Sequence, residues 1–168
     1  TGFAFVLKSS NQDGAAPWVV TEDITLVNNV TRGAGGGVNL SGGGDGNPAG
    51  VTSRLTFYNN LFLDIGGAQW SSDGRAFQIL NGPPDVWYVH NTTVAGNSFA
   101  TCDGSNPAPG FVYRDNLVEH GNYGFFGSGT GQGTAALQAF FTDPVFEGNL
   151  IVGGGDSAAD WAIGLQGI

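Results

Sequence analysis

One short phrase recurs five times and constrains the fold more than any other feature of the chain. It is an alternating apolar stretch closed by a polar residue and then asparagine. The copies are Ile24-Thr-Leu-Val-Asn-Asn29, Leu55-Thr-Phe-Tyr-Asn-Asn60, Val86-Trp-Tyr-Val-His-Asn91, Phe111-Val-Tyr-Arg-Asp-Asn116 and Pro144-Val-Phe-Glu-Gly-Asn149. The closing asparagines are 31, 31, 25 and 33 residues apart. Apolar residues resume after most of them, as in Leu61-Phe62, Leu117-Val118 and Leu150-Ile151. Alternation with a period of two is the mark of a strand. Self-similarity at a near-constant period of this size is the mark of stacked repeats.

A second strand pattern lies between these copies, usually after a glycine. It runs Phe5-Val-Leu-Lys8, Val38-Asn-Leu-Ser41, Phe77-Gln-Ile-Leu80, Phe99-Ala-Thr-Cys102 and, more weakly, Phe125-Phe-Gly-Ser128. Trp161-Ala-Ile-Gly-Leu165 reads as the next in the series. Each period thus holds about three short strands, separated by bends rich in Gly, Asn, Asp and Ser. No window of a dozen residues carries a helical period. With 30 glycines, 7 prolines and only 11 % charged residues, against roughly 25 % in an average domain, a charged bundle or coiled coil is excluded.

Three short strands per period describe one coil of a β-solenoid, with each strand lying over its counterpart at a spacing of roughly 4.8 Å. An antiparallel sandwich also has many short strands, but it does not repeat one motif in phase five times. Equivalent residues then form rows. Asn29, Asn60, Asn91, Asn116 and Asn149 are expected as an inward asparagine ladder, and Phe57, Tyr88, Tyr113 and Phe146 as an aromatic stack. Phe5, Val38, Phe77, Phe99 and Phe125 are expected as a second inward row. The outward rows beside it would be Val6, Asn39, Gln78, Ala100 and then Lys8, Ser41, Leu80, Cys102.

The charge balance narrows the partners. Five Lys and Arg stand against fourteen Asp and Glu, a formal charge of −9. The five cations are scattered, whereas binding to phosphate backbones needs them clustered; no nucleic-acid partner is expected. A single cysteine, Cys102, rules out an internal disulfide and cysteine-rich zinc sites. No apolar run approaches the ~20 residues of a membrane-spanning helix, so no membrane span is expected. Phe3 to Leu7 reads as a core strand, Trp161 to Ile168 reads as the same strand of a later coil, and neither end carries a polar cap. Residues 1–168 therefore read as one domain, either part of a longer solenoid or a unit that self-associates through its terminal coils.

The repeated apolar-x-apolar-x-x-Asn units resemble right-handed parallel β-helix proteins of the pectate-lyase-like superfamily, over nearly the whole chain. The phrases Thr1-Gly-Phe-Ala-Phe-Val-Leu-Lys-Ser-Ser-Asn-Gln-Asp-Gly14 and His120-Gly-x-Tyr-Gly124 are similar to large secreted bacterial members. The resemblance implies an all-β fold, a single-stranded right-handed parallel β-helix of about five coils, and a secreted or cell-surface location. It does not fix a function, because one fold carries many.

The catalytic phrases of that superfamily are incomplete here. Val86-Trp87-Tyr88-Val89-His90 has Val89 where a lyase would carry an acid, and the partnering Arg-x-x-Pro-x-x-Arg phrase is missing. His90 reads as a turn residue before the ladder, and Glu119-His120-Gly121 as another turn. Gly35-Gly36-Gly37 and Gly42-Gly43-Gly44 are solenoid turns, since a phosphate loop needs Gly-Lys-Ser/Thr feeding a helix. Asp13 and Asp45 fall after the same strand on neighbouring coils. As a stacked pair they would hold calcium; as Asp-Gly they are ordinary turn chemistry. Asn39, Gln78 and Ser41, with Lys8 and Asp103, would line a polar groove for a polysaccharide, with Lys8 and Asp103 as its candidate catalytic groups. Trp18, Trp70 and Trp87 would serve as stacking platforms if exposed. Two functions are thus expected: a non-catalytic extracellular structural module that assembles end to end, or a polysaccharide-active or glycan-binding protein of the calcium-dependent lyase type.

Overall fold

A computed structural model describes residues 2–43 and 46–153. Within them the chain visits three parallel sheets in turn, five times over. Phe3–Lys8, Gly36–Ser41, Phe77–Leu80, Ala100–Asp103 and Phe125–Gly127 are successive neighbours in the first sheet. Glu22–Val27, Ser53–Tyr58, Val86–Val89, Val112–Arg114 and Val145–Glu147 form the second. Val30–Ala34, Leu61–Ile65, Thr92–Ala95, Leu117–Glu119 and Leu150–Val152 form the third. The architecture is all-β with parallel sheets. The expected strand Trp161–Leu165 lies outside the described residues.

The corner between the second and third sheets is always two residues long, and its chemistry explains the repeated phrase. The first of the two is Asn28, Asn59, His90, Asp115 or Gly148, with φ of 60°, 54°, 57°, 57° and 64°. This left-handed turn favours Asn, Asp and Gly, whose backbones reach it at low cost. The second residue is the asparagine of the ladder. The Asn60 backbone N–H and Nδ2 both donate to Asn91 Oδ1 at 2.9 Å. Asn29, Asn91 and Asn116 bond in the same way to Asn60, Asn116 and Asn149. From Asn60 onward each Nδ2 also reaches back to a main-chain carbonyl of the preceding layer: Leu26, Phe57, Tyr88 and Tyr113, at 2.9 Å throughout.

Inward residues of all three sheets merge into one apolar cluster. Phe57, Tyr88, Tyr113 and Phe146 lie one over another, with the Tyr88–Tyr113 rings 5.1 Å apart at 7° and Tyr113–Phe146 5.3 Å apart at 9°. Full burial of each such ring stabilises the fold by about 1.5–3 kcal/mol, before the entropy of ordering it is counted. Phe77 and Phe125 pack on the flank of this stack, 4.5 Å from Tyr88 and 6.3 Å from Tyr113.

Two expectations need correction. Thr101 pairs with Gln78 and Asp103 with Leu80, so the fourth strand is shifted by one residue from the expected alignment. Ala100 and Cys102 therefore point inward, 0 % and 2 % exposed, and Thr101 and Asp103 take the outward places. A one-residue slip reverses every side chain of a strand. The short turn Gly96-Asn97-Ser98 sets this register, and Phe99 is buried just ahead of the strand against Tyr113 and Phe125. The second correction is a helix, Thr134–Phe140, which buries Ala136, Leu137 and Phe140. Seven residues are too few to show a period in a window of a dozen.

Candidate functional site

The outer face of the first sheet supplies the site. Its two outward rows are Val6, Asn39, Gln78, Thr101, Phe126 and Lys8, Ser41, Leu80, Asp103. Toward the later strands this face is walled by the corners that enter them, and a pocket of about 340 Å³ opens there. Gln78, Thr101 and Phe126 form its floor, Asp103 and Ser128 stand at the strand ends, and Asp73, Arg75, Asn97 and Tyr123 form the wall.

The wall is held by backbone bonds. The Asn97 carbonyl accepts from the N–H groups of Asn122 at 2.6 Å and Tyr123 at 3.0 Å, and the Asn97 N–H donates to the Gly74 carbonyl at 3.2 Å. Three successive layers are thereby tied at one point. Gly121 makes the approach possible: its φ is +67°, and a Cβ there would stand 2.5 Å from the Asn97 oxygen. Tyr123, 46 % exposed, is set beside Phe126 with ring centres 5.6 Å apart at 48°. Further along the same wall Arg75 Nε stands 3.4 Å from Asp73 Oδ2. Asp103 uses one carboxylate oxygen to accept the Gly104 N–H at 2.8 Å. Thr101 is 7 % exposed, and its hydroxyl has no hydrogen-bond partner among the described residues.

Of the expected groove residues, Gln78 and Asp103 line this pocket. Asn39 lies one strand from Gln78 on the same face, outside the lining. Lys8 is three strands from Asp103 along its row, about 14 Å at the spacing of parallel strands, so the two candidate catalytic groups are not brought together. Ser41 donates to the Gly43 carbonyl at 2.7 Å and accepts from Asn81 Nδ2 at 3.2 Å, which ties it into its own corner. Asp45 lies outside the described residues, and Asp13 is exposed at its turn. Among the described residues no three His, Cys, Asp or Glu side chains converge on one point.

Neither histidine enters the pocket. His90 sits on the exposed corner of the second sheet, its Nε2 3.9 Å from Asp115 and its ring edge-on to Tyr58. His120 is buried under the Gly121 turn, with Nδ1 2.8 Å from the Gly121 oxygen. Cys102 lies beneath the pocket; burial pushes its thiol pKa up, which keeps it protonated and inert. Trp18 and Trp87 are 76 % and 52 % exposed and Trp70 covers Gly33. Trp87 opens onto a shallow depression on the second sheet, beside Asp23, Arg54 and Asp85.

Asp73, Arg75, Asn97 and Tyr123 are not legible from sequence because they lie in corners of unequal length, where the repeat sets no register. His120-Gly-x-Tyr-Gly124 was the one phrase that marked their neighbourhood. Among the described residues no helix is long and apolar enough to cross a membrane. Compared with known proteins, the chain matches no family model, no curated protein and no solved structure.

Proposed function

We propose that the three sheets are the faces of one right-handed parallel β-helix of five coils, and that it acts as a non-catalytic structural module outside the cell. The carrying observation is the continuous asparagine ladder from Asn29 to Asn149, in which each layer repeats the bonds of the one before. A ladder of this kind is built from identical joints, so it suits a rod whose length is set by layer number. Layers at roughly 4.8 Å give a rise of about 24 Å for five. The same joint would accept a further coil, which supports end-to-end assembly. Mass measurement in solution with negative-stain microscopy tests this: rods that lengthen with concentration are expected, and a monomer at every concentration would sink the assembling part. Melting of the isolated chain without cooperativity would sink the single-rod reading.

The pocket on the first sheet favours a second reading, glycan binding. An aromatic pair beside several amide, hydroxyl and carboxylate groups suits the apolar face and the polar rim of a sugar ring. Titration with a panel of soluble oligosaccharides tests it, with Tyr123→Ala as the control that should lose binding.

A further inference from the structure

We infer that the pocket on the first sheet takes an amino sugar, receiving the protonated amine of a hydroxylated ring rather than a uronate or a neutral sugar. This rests on the glycan-binding reading and narrows it.

Charge is the first argument. Two carboxylates, Asp73 and Asp103, face the pocket with one guanidinium, Arg75, and that guanidinium already stands 3.4 Å from Asp73. Asp103 has no ion-pair partner among the described residues, and one of its oxygens is left over after the Gly104 N–H. A chain of net charge −9 adds an attractive field for a cation. A polyuronate would instead set its own carboxylates against Asp103, and like charges held close disfavour one another.

Three further features point to a ring that carries the amine. Tyr123 and Phe126 offer two tilted aromatic faces 5.6 Å apart, against which a sugar packs its C–H face and an ammonium gains a cation–π contact. Thr101, in the floor, is 7 % exposed and its buried hydroxyl has no partner among the described residues; a buried hydroxyl normally has one, and a ring hydroxyl seated on the floor would supply it. The volume of about 340 Å³ falls at the small end of ligand sites, the scale of one or two sugar rings. A bare polyamine, donor-only when protonated, would leave the Thr101 O–H without an acceptor, which a ring hydroxyl supplies.

Calorimetric titration of the folded chain separates these chemistries with four probes: the glucosamine trimer, the N-acetylglucosamine trimer, trigalacturonate and spermidine. The glucosamine trimer is expected to bind at least about tenfold tighter than the other three, a difference well within the reach of one charge contact. Its binding should fall by about tenfold or more in Asp103→Asn, which keeps the acceptor for Gly104, and in Tyr123→Ala. Both side chains are exposed, so both variants should melt as the parent does. Equal binding of the N-acetylated trimer overturns the amine assignment and leaves glycan binding standing. Spermidine binding as tightly as the glucosamine trimer overturns the sugar ring. Binding unchanged in both variants removes the pocket as the site, and no binding of any probe overturns this inference and the glycan reading together.

Discussion

The corner between the second and third sheets and the corners around the first sheet are made from the same chain by opposite rules. The former is two residues long in all five layers, always a left-handed residue followed by asparagine, and every amide is answered by the layer above or below. The latter run from a single residue, Gly35, to the stretch of 17 between Gly127 and Val145, and they hold the helix and the pocket wall. Identical joints give a row that propagates from layer to layer. Unequal joints give walls of unequal height over a flat sheet, and a pocket forms between them. Periodicity builds the scaffold and its interruption builds the site.

The largest effect expected on this contrast is at Asn91. Asn91→Ala strands the Asn60 N–H and Nδ2 and the carbonyls of Phe57 and Val89, and should destabilise by about 3–5 kcal/mol in urea unfolding. Asn29→Ala, at the exposed first rung, should cost about 1 kcal/mol or less. Equal losses would mean that the rungs act independently of their depth. Gly121→Ala tests the irregular side: its Cβ has no room before the Asn97 oxygen, and a loss of about 1–3 kcal/mol is expected with displacement of Tyr123. A fully stable variant with an unmoved Tyr123 would show that the wall is not held at this point.

The two stacked tyrosines give a smaller contrast. Tyr88 shares a hydrogen bond of 2.8 Å with Thr93, whereas the Tyr113 hydroxyl is buried without a partner among the described residues. Tyr88→Phe should cost about 1 kcal/mol and Tyr113→Phe should be neutral or stabilising. The reverse order would require a partner for Tyr113 in solution. Smallest is the acid response of Asp23, whose carboxyl is held below the usual aspartate range by its hydrogen bond from Arg54. A depressed carboxylate contributes stability above its unfolded value of about 3.9 and loses it as pH falls through the lower folded value. Asp23→Asn should therefore melt slightly lower than the parent near neutrality. The difference should vanish in strong acid, and one that grew in acid would reverse the sign.

Much of this was legible before any coordinates. A residue that closes a tight left-handed turn and a residue that must bond to its own copy are both narrow chemical choices, so five asparagines announced themselves by spacing alone. The aromatic row three places earlier followed from the same count. Where the turn before a strand varies, the count fails: Phe99 invites alignment with Phe77, one residue out of the observed register, and that alignment would turn Ala100 and Cys102 to the outer face. The helix Thr134–Phe140 was invisible for a related reason, since its two turns are stabilised by burying Leu137 and Phe140 against the core rather than by any pattern of their own.

By itself the sequence determined the asparagine ladder and the aromatic row beside it, because a layer can only stack on a layer that presents the same groups at the same height. Tertiary structure alone decided what stands above the first sheet. Asp73, Arg75, Asn97 and Tyr123 come from three corners with no common spacing, and they meet only because the strands beneath them are held in register and the Asn97 carbonyl draws the Gly121 turn inward. Local repetition encodes contacts between equals, whereas a pocket is a contact between unlike segments, and its geometry exists only once the layers have been assembled.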